Sequence, residues 1–195
     1  MDLTNFWPKM RRDWRGPVAG LAGAVLVLIF AAPGLGFLLG VVLVGALAMG
    51  RDPERASPQA EGCVLAPVDG RVAAVERATP PASMGLGADA RLCITIDRGP
   101  LHSAALRQPS AGSVRRAGEL GFVVSDEDAP DIGVLLEPAQ WPALTRLETG
   151  RIGAAGHAVG AMGPLGRVKV FLDPGVEIAV RRGQTIVAGE TALTV

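Results

Sequence analysis

Several residue types that carry chemistry are scarce or absent in this 195-residue chain. There is no tyrosine, which excludes tyrosine-dependent catalysis, and there are only two histidines and two cysteines. Cys63 and Cys93 lie in apolar runs without the spacing of metal ligands, so we predict buried, unreactive thiols. Because the formal net charge is zero, the chain lacks the basic excess of a nucleic-acid-binding protein, and no nucleic-acid partner is expected.

Charge is also missing from one long stretch near the N-terminus. Residues 16–50 form a run of 35 residues without a charged side chain. A membrane-spanning helix needs about 20 apolar residues, so this run is too long for one straight helix. Proline and glycine at 33–34 predict a break in its middle. We therefore predict a transmembrane helical hairpin, with helices at about 17–31 and 35–49, that makes residues 1–50 a membrane-anchoring domain.

Basic residues flank this apolar run on both sides. They are Lys9, Arg11, Arg12 and Arg15 before it and Arg51 and Arg55 after it. Positive charge at both ends favours a hairpin with both ends in the cytoplasm, and glycines at 20, 23, 36, 40 and 45 would let its helices approach closely. The alternative is one long tilted helix, which would place the rest of the chain outside. No small-residue cleavage site follows the run, which disfavours a secretory signal peptide.

Residues 51–195 have the pattern of short strands separated by glycine and proline. The predicted strands are 63–65, 71–75, 92–96, 113–114, 121–124, 133–136, 168–172, 178–180 and 185–187. A short helix over 138–147 is the one helical alternative, and 76–90 and 125–131 have the composition of loops. The fold class predicted for this domain is mainly β, a barrel or sandwich.

Two glycine-containing segments of this domain, 66–72 and 181–191, have a similar sequence pattern. Each places a turn beside a β-branched run, and together they look like the two halves of a barrel-sandwich hybrid of the lipoyl or biotinyl type. No lysine occupies the turn that would carry the prosthetic group. A swinging-arm carrier is therefore excluded.

Four blocks of the chain carry a resemblance to a known family. Residues 51–55 read RDPER, residues 66–72 read APVDGRV, residues 96–114 read IDRGPLHSAALRQPSAGSV, and residues 160–172 read GAMGPLGRVKVFL. They resemble the segments RDPxR, SPADGxV, IFMSPFDVHVNRAPVxGxV and GxIxFGSRVDVYL of the phosphatidylserine decarboxylase family in its short bacterial and archaeal form. Residues 183–191 resemble the closing GQxVxAGET of the same family. The family's NER and ARR motifs are not recognisable in the short middle, about 117–150.

The resemblance implies a specific chemistry. Members of the family are made as proenzymes, in which a serine attacks the preceding peptide carbonyl and ends as an N-terminal pyruvoyl group. This ketone forms an imine with the substrate amine and accepts electrons during decarboxylation. A histidine and an aspartate assist the self-cleavage in the manner of a serine-protease triad.

Only one of these three positions is retained in the chain. Asp69 matches the family aspartate, although the alternative is a purely structural role in an Asp-Gly turn. The family histidine falls at Ala104 and the pyruvoyl-forming serine falls at Gly166. Because glycine has no side-chain oxygen, the resemblance implies that no pyruvoyl cofactor forms, and no other cofactor is expected.

Other polar residues give weaker signals. His102 lies two residues before Ala104, so on a strand it would share a face with that position and is a possible surrogate histidine. Arg107 matches a family arginine and is a candidate contact for a phosphate or carboxylate, with a structural ion pair as the alternative. His157 stands among glycines, and Lys169 would face away from Gly166 on a strand. Two histidines without nearby carboxylate spacing predict no metal site.

Three functions stay open at this point. The first is a membrane-anchored decarboxylase-like protein of phospholipid metabolism without pyruvoyl-dependent catalysis, a possible pseudoenzyme that binds membrane phospholipid, another copy of itself or an active decarboxylase. It would lie at the bacterial inner membrane with its soluble domain on the cytoplasmic side. The second is an active carboxy-lyase that makes phosphatidylethanolamine. The third is a lipoyl-like membrane adaptor.

Overall fold

The computed structural model describes most of the chain. The described residues are 12–50, 55–56, 58, 62–100, 102–138, 145–150, 152–163 and 165–195. They divide into two compact units. The first comprises Met1–Glu54 with Leu101–Ala104, and the second comprises Arg55–Pro100 with Ala105–Val195. Residues 51–54, which carry most of the segment RDPER, lie outside the described residues.

The first unit contains two helices, α1 (Arg12–Ala31) and α2 (Pro33–Gly50). The predicted break is present at Ala32, since Pro33 has no N–H group with which to continue α1. The amides of Leu35 and Gly36 donate to the Ala32 carbonyl at 3.0 and 2.9 Å, which closes the first turn of α2. At Gly36 a β-carbon would lie 2.6 Å from the backbone nitrogen of Ile29. Of the five glycines that were predicted to allow close approach, only Gly36 has a neighbour this near.

The predicted transmembrane hairpin is wrong. Among the described residues, neither helix combines the length and the apolar character that crossing a bilayer requires. The break at Ala32 divides the uncharged run, and α1 begins with Arg12, Asp13 and Arg15. Each helix is therefore left with fewer than the roughly 20 apolar residues that a span needs.

The second unit is mainly β, which confirms that part of the predicted fold class. Its strands are β1 (Gly70–Ala78), β2 (Arg91–Arg98), β3 (Ala105–Arg107), β4 (Gly112–Arg116), β5 (Gly121–Ser125), β6 (Ile132–Pro138), β7 (Arg146–Leu147), β8 (Ile152–Gly153), β9 (Ala158–Ala161), β10 (Gly166–Leu172) and β11 (Thr185–Ile186). Within the described residues they form an eight-stranded sheet, in the order β11-β1-β2-β10-β6-β5-β4-β8, and a three-stranded sheet, β3-β9-β7. All the pairings are antiparallel.

The large sheet has two different faces, because successive side chains of a strand point to opposite sides. We call inner the face on which Ile94 and Ile96 of β2 and Val168 and Val170 of β10 pack into the main hydrophobic core. The intervening residues, such as Asp97 and Lys169, lie on the outer face. One end of the outer face is covered by the 3-10 turn Ala82–Met84 and Leu86, which pack on Cys93 and Phe171. The other end is open.

The two glycine-containing segments that the sequence linked do lie together. The amide of Ala66 donates to the Thr191 carbonyl and the amide of Gly189 donates to the Ala66 carbonyl, both at 2.8 Å. The Val72 amide donates to the Gln184 carbonyl at 2.9 Å. These bonds fix the turn before β1 against the closing segment of the chain, and Asp69 lies in that turn.

Local patterns predicted every strand of five or more residues and the two-residue β11, but not β3, β7, β8 and β9. Seven predicted strands coincide with strands of the structure: 71–75 with β1, 92–96 with β2, 113–114 with β4, 121–124 with β5, 133–136 with β6, 168–172 with β10 and 185–187 with β11. The predicted strands 63–65 and 178–180 form only isolated bridges. The possible helix over 138–147 is not supported at its ends, because Pro138 closes β6 and Arg146–Leu147 is β7. Residues 139–144 lie outside the described residues.

Candidate functional site

Asp69 lies at the end of the turn that leads into β1, and it is held by an arginine. Nη1 and Nη2 of Arg55 donate to its two carboxylate oxygens at 2.6 and 2.8 Å. The Ala188 amide donates to Oδ1 at 2.8 Å, while Arg55 Nη1 also donates to the Ala188 carbonyl at 3.0 Å. The two side chains are only 7% and 14% exposed. Asp69 is therefore an acceptor in a largely buried, bidentate ion pair, which is more than a simple Asp-Gly turn.

Gly166 begins β10 on the inner face of the sheet, between Arg98 of β2 and Pro138 of β6. Its φ of +141° is a conformation that favours glycine. A β-carbon at this position would lie 2.5 Å from Met162 Cε and 2.7 Å from the Glu137 carbonyl oxygen. The backbone and its surroundings at position 166 are therefore those of a glycine site.

Arg98 is the functional-site residue that the sequence reasoning missed. It is only 4% exposed, and its Nη1 donates to the carbonyls of Met162 and Gly163 at 3.2 and 2.8 Å. Burial lowers the pKa of its guanidinium to about 10, while the negative charge of Asp69 acts in the opposite direction. One signal was available, because Arg98 continues the inward alternation of Ile94 and Ile96 and so places a charge where an apolar side chain is expected.

His102 and Ala104 belong to the unit that contains the helices, whereas Asp69 and Gly166 belong to the β unit. His102 and Ala104 do not share a strand face, because β3 begins only at Ala105. The structure thus gives no strand that would present His102 in place of the family histidine.

The other candidates lie elsewhere in the β unit. Arg107 in β3 donates from Nη1 to the Gly156 carbonyl at 2.9 Å. His157 lines a pocket of about 240 Å³ together with Gln108 and Glu148. Lys169 is on the outer face, where its Nζ donates to Glu137 Oε1 at 2.8 Å. This hydrogen bond is the main cause of its raised pKa.

The chemistry available at this site follows from these contacts. Asp69, Arg55, Arg98 and Gly166 supply one carboxylate, two guanidinium groups and no nucleophile. The residues that the structure describes contain no group of three or more potential ligands able to hold a metal ion. The arrangement favours holding the chain together or attracting negative charge over attacking a carbonyl.

No family model matches the chain. Curated relatives do, over most of its length. A protein of Nitrobacter winogradskyi named phosphatidylserine decarboxylase proenzyme is 28% identical over 197 residues, which cover 90% of this chain and 80% of the relative. A protein of Cereibacter sphaeroides with the same name is 27% identical over 212 residues, which cover 98% of this chain and 91% of the relative.

Over most of its length the chain thus resembles proteins of the phosphatidylserine decarboxylase family. This similarity supports a role in phospholipid metabolism. Within the family pattern, Gly166 occupies the serine position, Ala104 the histidine position and Asp69 the aspartate position. Arg98 occupies the methionine of the family segment IFMSPFDVHVNR, and Arg55 is the final arginine of RDPxR.

Proposed function

We propose that this decarboxylase-family protein does not carry out pyruvoyl-dependent catalysis and acts in phospholipid metabolism by binding. Its ligand is a phospholipid at the cytoplasmic face of the bacterial inner membrane, with another copy of the chain or an active decarboxylase as the alternative partner. The observation that carries the proposal is the geometry of position 166. Self-cleavage of the family type begins with a side-chain oxygen at this position, and glycine supplies none.

The backbone geometry at position 166 also disfavours the serine that self-cleavage of the family type requires. The positive φ of Gly166 disfavours any L side chain, and the space that a β-carbon would need is taken by Met162 and the Glu137 carbonyl. Leu165, at the glycine of the family's Gly-Ser step, has a φ of +61°, which disfavours leucine in turn. The backbone at residue 165 would thus accept the family's glycine, whereas the backbone and the space at residue 166 disfavour the family's serine.

The partners of Asp69 support the same proposal. An aspartate in a triad orients a histidine by accepting a hydrogen bond from its ring. Here both carboxylate oxygens accept from Arg55 and one also accepts from Ala188. A carboxylate held in this way is suited to a structural role, and the family histidine position is alanine.

The names of the relatives favour a second candidate function, the active decarboxylase. Both relatives are named proenzymes, which describes a chain that is processed. For the present chain this function requires a nucleophile other than residue 166. The nearest upstream serine, Ser125, is at the end of β5, beside the acidic turn at 126–131.

Intact mass of the full-length protein separates the two candidates. The proposal expects one uncleaved chain of about 20.1 kDa that does not react with a carbonyl-specific hydrazide and releases no carbon dioxide from phosphatidylserine. The Nitrobacter winogradskyi relative, prepared and assayed in parallel, is the positive control. Two fragments, one of which carries a reactive ketone, would refute the proposal and establish the decarboxylase.

Binding needs its own measurement. Co-sedimentation of the full-length protein with vesicles of mixed phospholipids tests the positive part of the proposal. Binding at physiological salt supports a phospholipid ligand. No sedimentation with any vesicle composition would reject the lipid and leave the partner protein, which co-purification from the native host would identify.

A further inference from the structure

A concave surface, distinct from the site around Asp69 and Gly166, lies on the outer face of the large sheet. It is a groove of about 630 Å³ formed by β1, β2, β10 and the turn at 182–183. The charged residues of the strands that line it lie on the side of the sheet opposite to Gly166 and Arg98. The groove is therefore separate from the site that aligns with the family's catalytic residues.

The groove has an excess of positive charge. Four cationic side chains line it, those of Arg71, Arg167, Lys169 and Arg182. Its acidic lining consists of Glu76 and Asp97. Because the whole chain has a formal net charge of zero, this excess reflects how the charges are distributed and not the composition of the protein.

Two of the cations are held in place by acidic neighbours. Arg167 pairs with Asp97 at 2.9 Å and Lys169 pairs with Glu137 at 2.8 Å. These pairs join side chains of adjacent strands on the outer face of the sheet. They fix the floor of the groove and contribute to its electrostatic field.

Arg71 and Arg182 are in a different situation. Among the described residues, neither forms an ion pair with an acidic side chain. Arg71 Nε donates to the Gly183 carbonyl at 2.8 Å, which places its guanidinium beside the turn that carries Arg182. Its two terminal nitrogens make no hydrogen bond within the described part of the chain. Two exposed guanidinium groups thus flank one groove, and no acidic side chain of the described residues pairs with either.

We propose that this groove binds a phosphate-bearing anion through Arg71 and Arg182. Guanidinium groups match the geometry of phosphate oxygens, and the volume falls in the range of ligand sites and exceeds what one phosphate fills. The shared chemistry is a phosphate, either free or as the phosphodiester of a lipid headgroup. The site goes beyond the proposed function, because it does not depend on whether residue 166 supports catalysis.

The test compares two double variants of the full-length protein with the same change in charge. R71Q/R182Q removes the two arginines of the groove. R77Q/R181Q removes one exposed arginine from the same strand and one from the same turn, neither of which lines the groove. R71K/R182K keeps the charge and removes the guanidinium geometry. Thermal unfolding verifies that all variants are folded.

Calorimetric titration with inorganic phosphate and with glycerophosphoglycerol measures binding at low ionic strength. We expect R71Q/R182Q to bind the preferred anion at least about tenfold more weakly, R77Q/R181Q to change affinity by less than about threefold, and R71K/R182K to lie between them. Binding of the wild-type protein should weaken as salt is added. No binding of either anion, or equal losses in the two glutamine variants, would overturn the proposal.

Vesicles distinguish the two sources of phosphate. Phosphatidylcholine vesicles with and without phosphatidylglycerol are sedimented with the wild-type protein and both glutamine variants. Loss of phosphatidylglycerol-dependent binding in R71Q/R182Q alone assigns the groove to a lipid headgroup. Unchanged vesicle binding together with the calorimetric loss assigns it to a free phosphate compound. Either result supports the groove as a phosphate site, and both are independent of the intact-mass experiment.

Discussion

The two faces of β2 and β10 use charge in different ways. On the inner face, Arg98 is buried beside Gly166, and the nearby carboxylate of Asp69 is tied to Arg55 in a pair that is 7% and 14% exposed. On the outer face, Arg167 and Asp97 form a pair that is 62% and 49% exposed. Adjacent residues of one strand thus contribute to a closed charge cluster on one side and an open groove on the other.

Burial, more than contact distance, decides how much such an ion pair contributes to the stability of the fold. Ion pairs of similar length join Arg55 to Asp69 and Lys169 to Glu137. Removing one partner of a buried pair leaves a charge without water or a counterion, whereas an exposed partner is simply hydrated. The inner cluster should therefore act as a structural element, while the outer groove keeps cations available to a ligand.

The largest expected effect is that of D69A, which removes the carboxylate between Arg55 and Arg98. We expect a loss of about 3 kcal/mol in the free energy of unfolding, since buried guanidinium groups lose their counterion. The matched change on the outer face, D97A, should lose less than about 1 kcal/mol. Urea denaturation of both variants measures the difference. Equal losses would mean that burial does not distinguish the two faces.

The next effect concerns the glycine on the inner face. G166S should lower the free energy of unfolding by about 2 kcal/mol, because serine is strained at positive φ and its β-carbon meets Met162 and the Glu137 carbonyl. G175S is the control, at an exposed glycine where a β-carbon would make only ordinary contact. G166S should also stay uncleaved by mass spectrometry. A stable or self-cleaving G166S protein would contradict the proposed geometry.

The covered end of the outer face gives a smaller effect. Cys93 is fully buried under Met84 and Leu86, and burial raises the pKa of its thiol, whereas Cys63 is half-buried. We expect iodoacetamide to modify Cys93 at least about tenfold more slowly than Cys63, a difference of about 1.4 kcal/mol. Peptide mass spectrometry measures both rates, and protein unfolded in urea is the control. Equal rates in the folded protein would mean that this end is open.

The sign of the accompanying pH effect follows from the raised pKa of Cys93. In the unfolded chain the thiol ionises around its ordinary pKa of 9.0, while the folded protein keeps the proton. The folded state then binds more protons, so the contribution of Cys93 to stability falls as the pH rises above 9. C93A should flatten this fall, which stability measurements between neutral and alkaline pH would detect.

The smallest effect is expected at the partly exposed pair of Lys169 and Glu137. E137Q should reduce the free energy of unfolding by less than about 1 kcal/mol and bring the pKa of Lys169 down, because its main hydrogen-bond acceptor is lost. The pair stabilises the fold below the ordinary lysine pKa and ceases to do so as the pH rises through the raised one. NMR titration of the Lys169 ammonium measures the shift. E177Q, at an exposed carboxylate, should leave it unchanged.

The sequence was sufficient to predict those features that depend on residues close together in the chain. Alternation of apolar and polar residues predicts β2 and β10, since each strand buries every second side chain. Chemistry at a single position is equally local, because Gly166 has no side-chain oxygen in any fold. The short strands β3, β7, β8 and β9 were missed because two to four residues carry too little periodicity, and their pairing depends on distant segments.

The amino-acid pattern was enough to predict a mainly β domain, two helices separated near Ala32, and the positions of Asp69 and Gly166 in the family segments. The tertiary structure brings Arg55 and Ala188 to Asp69 and buries Arg98 beside Gly166, and neither contact could be predicted from the sequence. The physical reason is separation along the chain. Ala188 lies 119 residues from Asp69, and no local pattern specifies which distant groups a carboxylate will meet once the strands have paired.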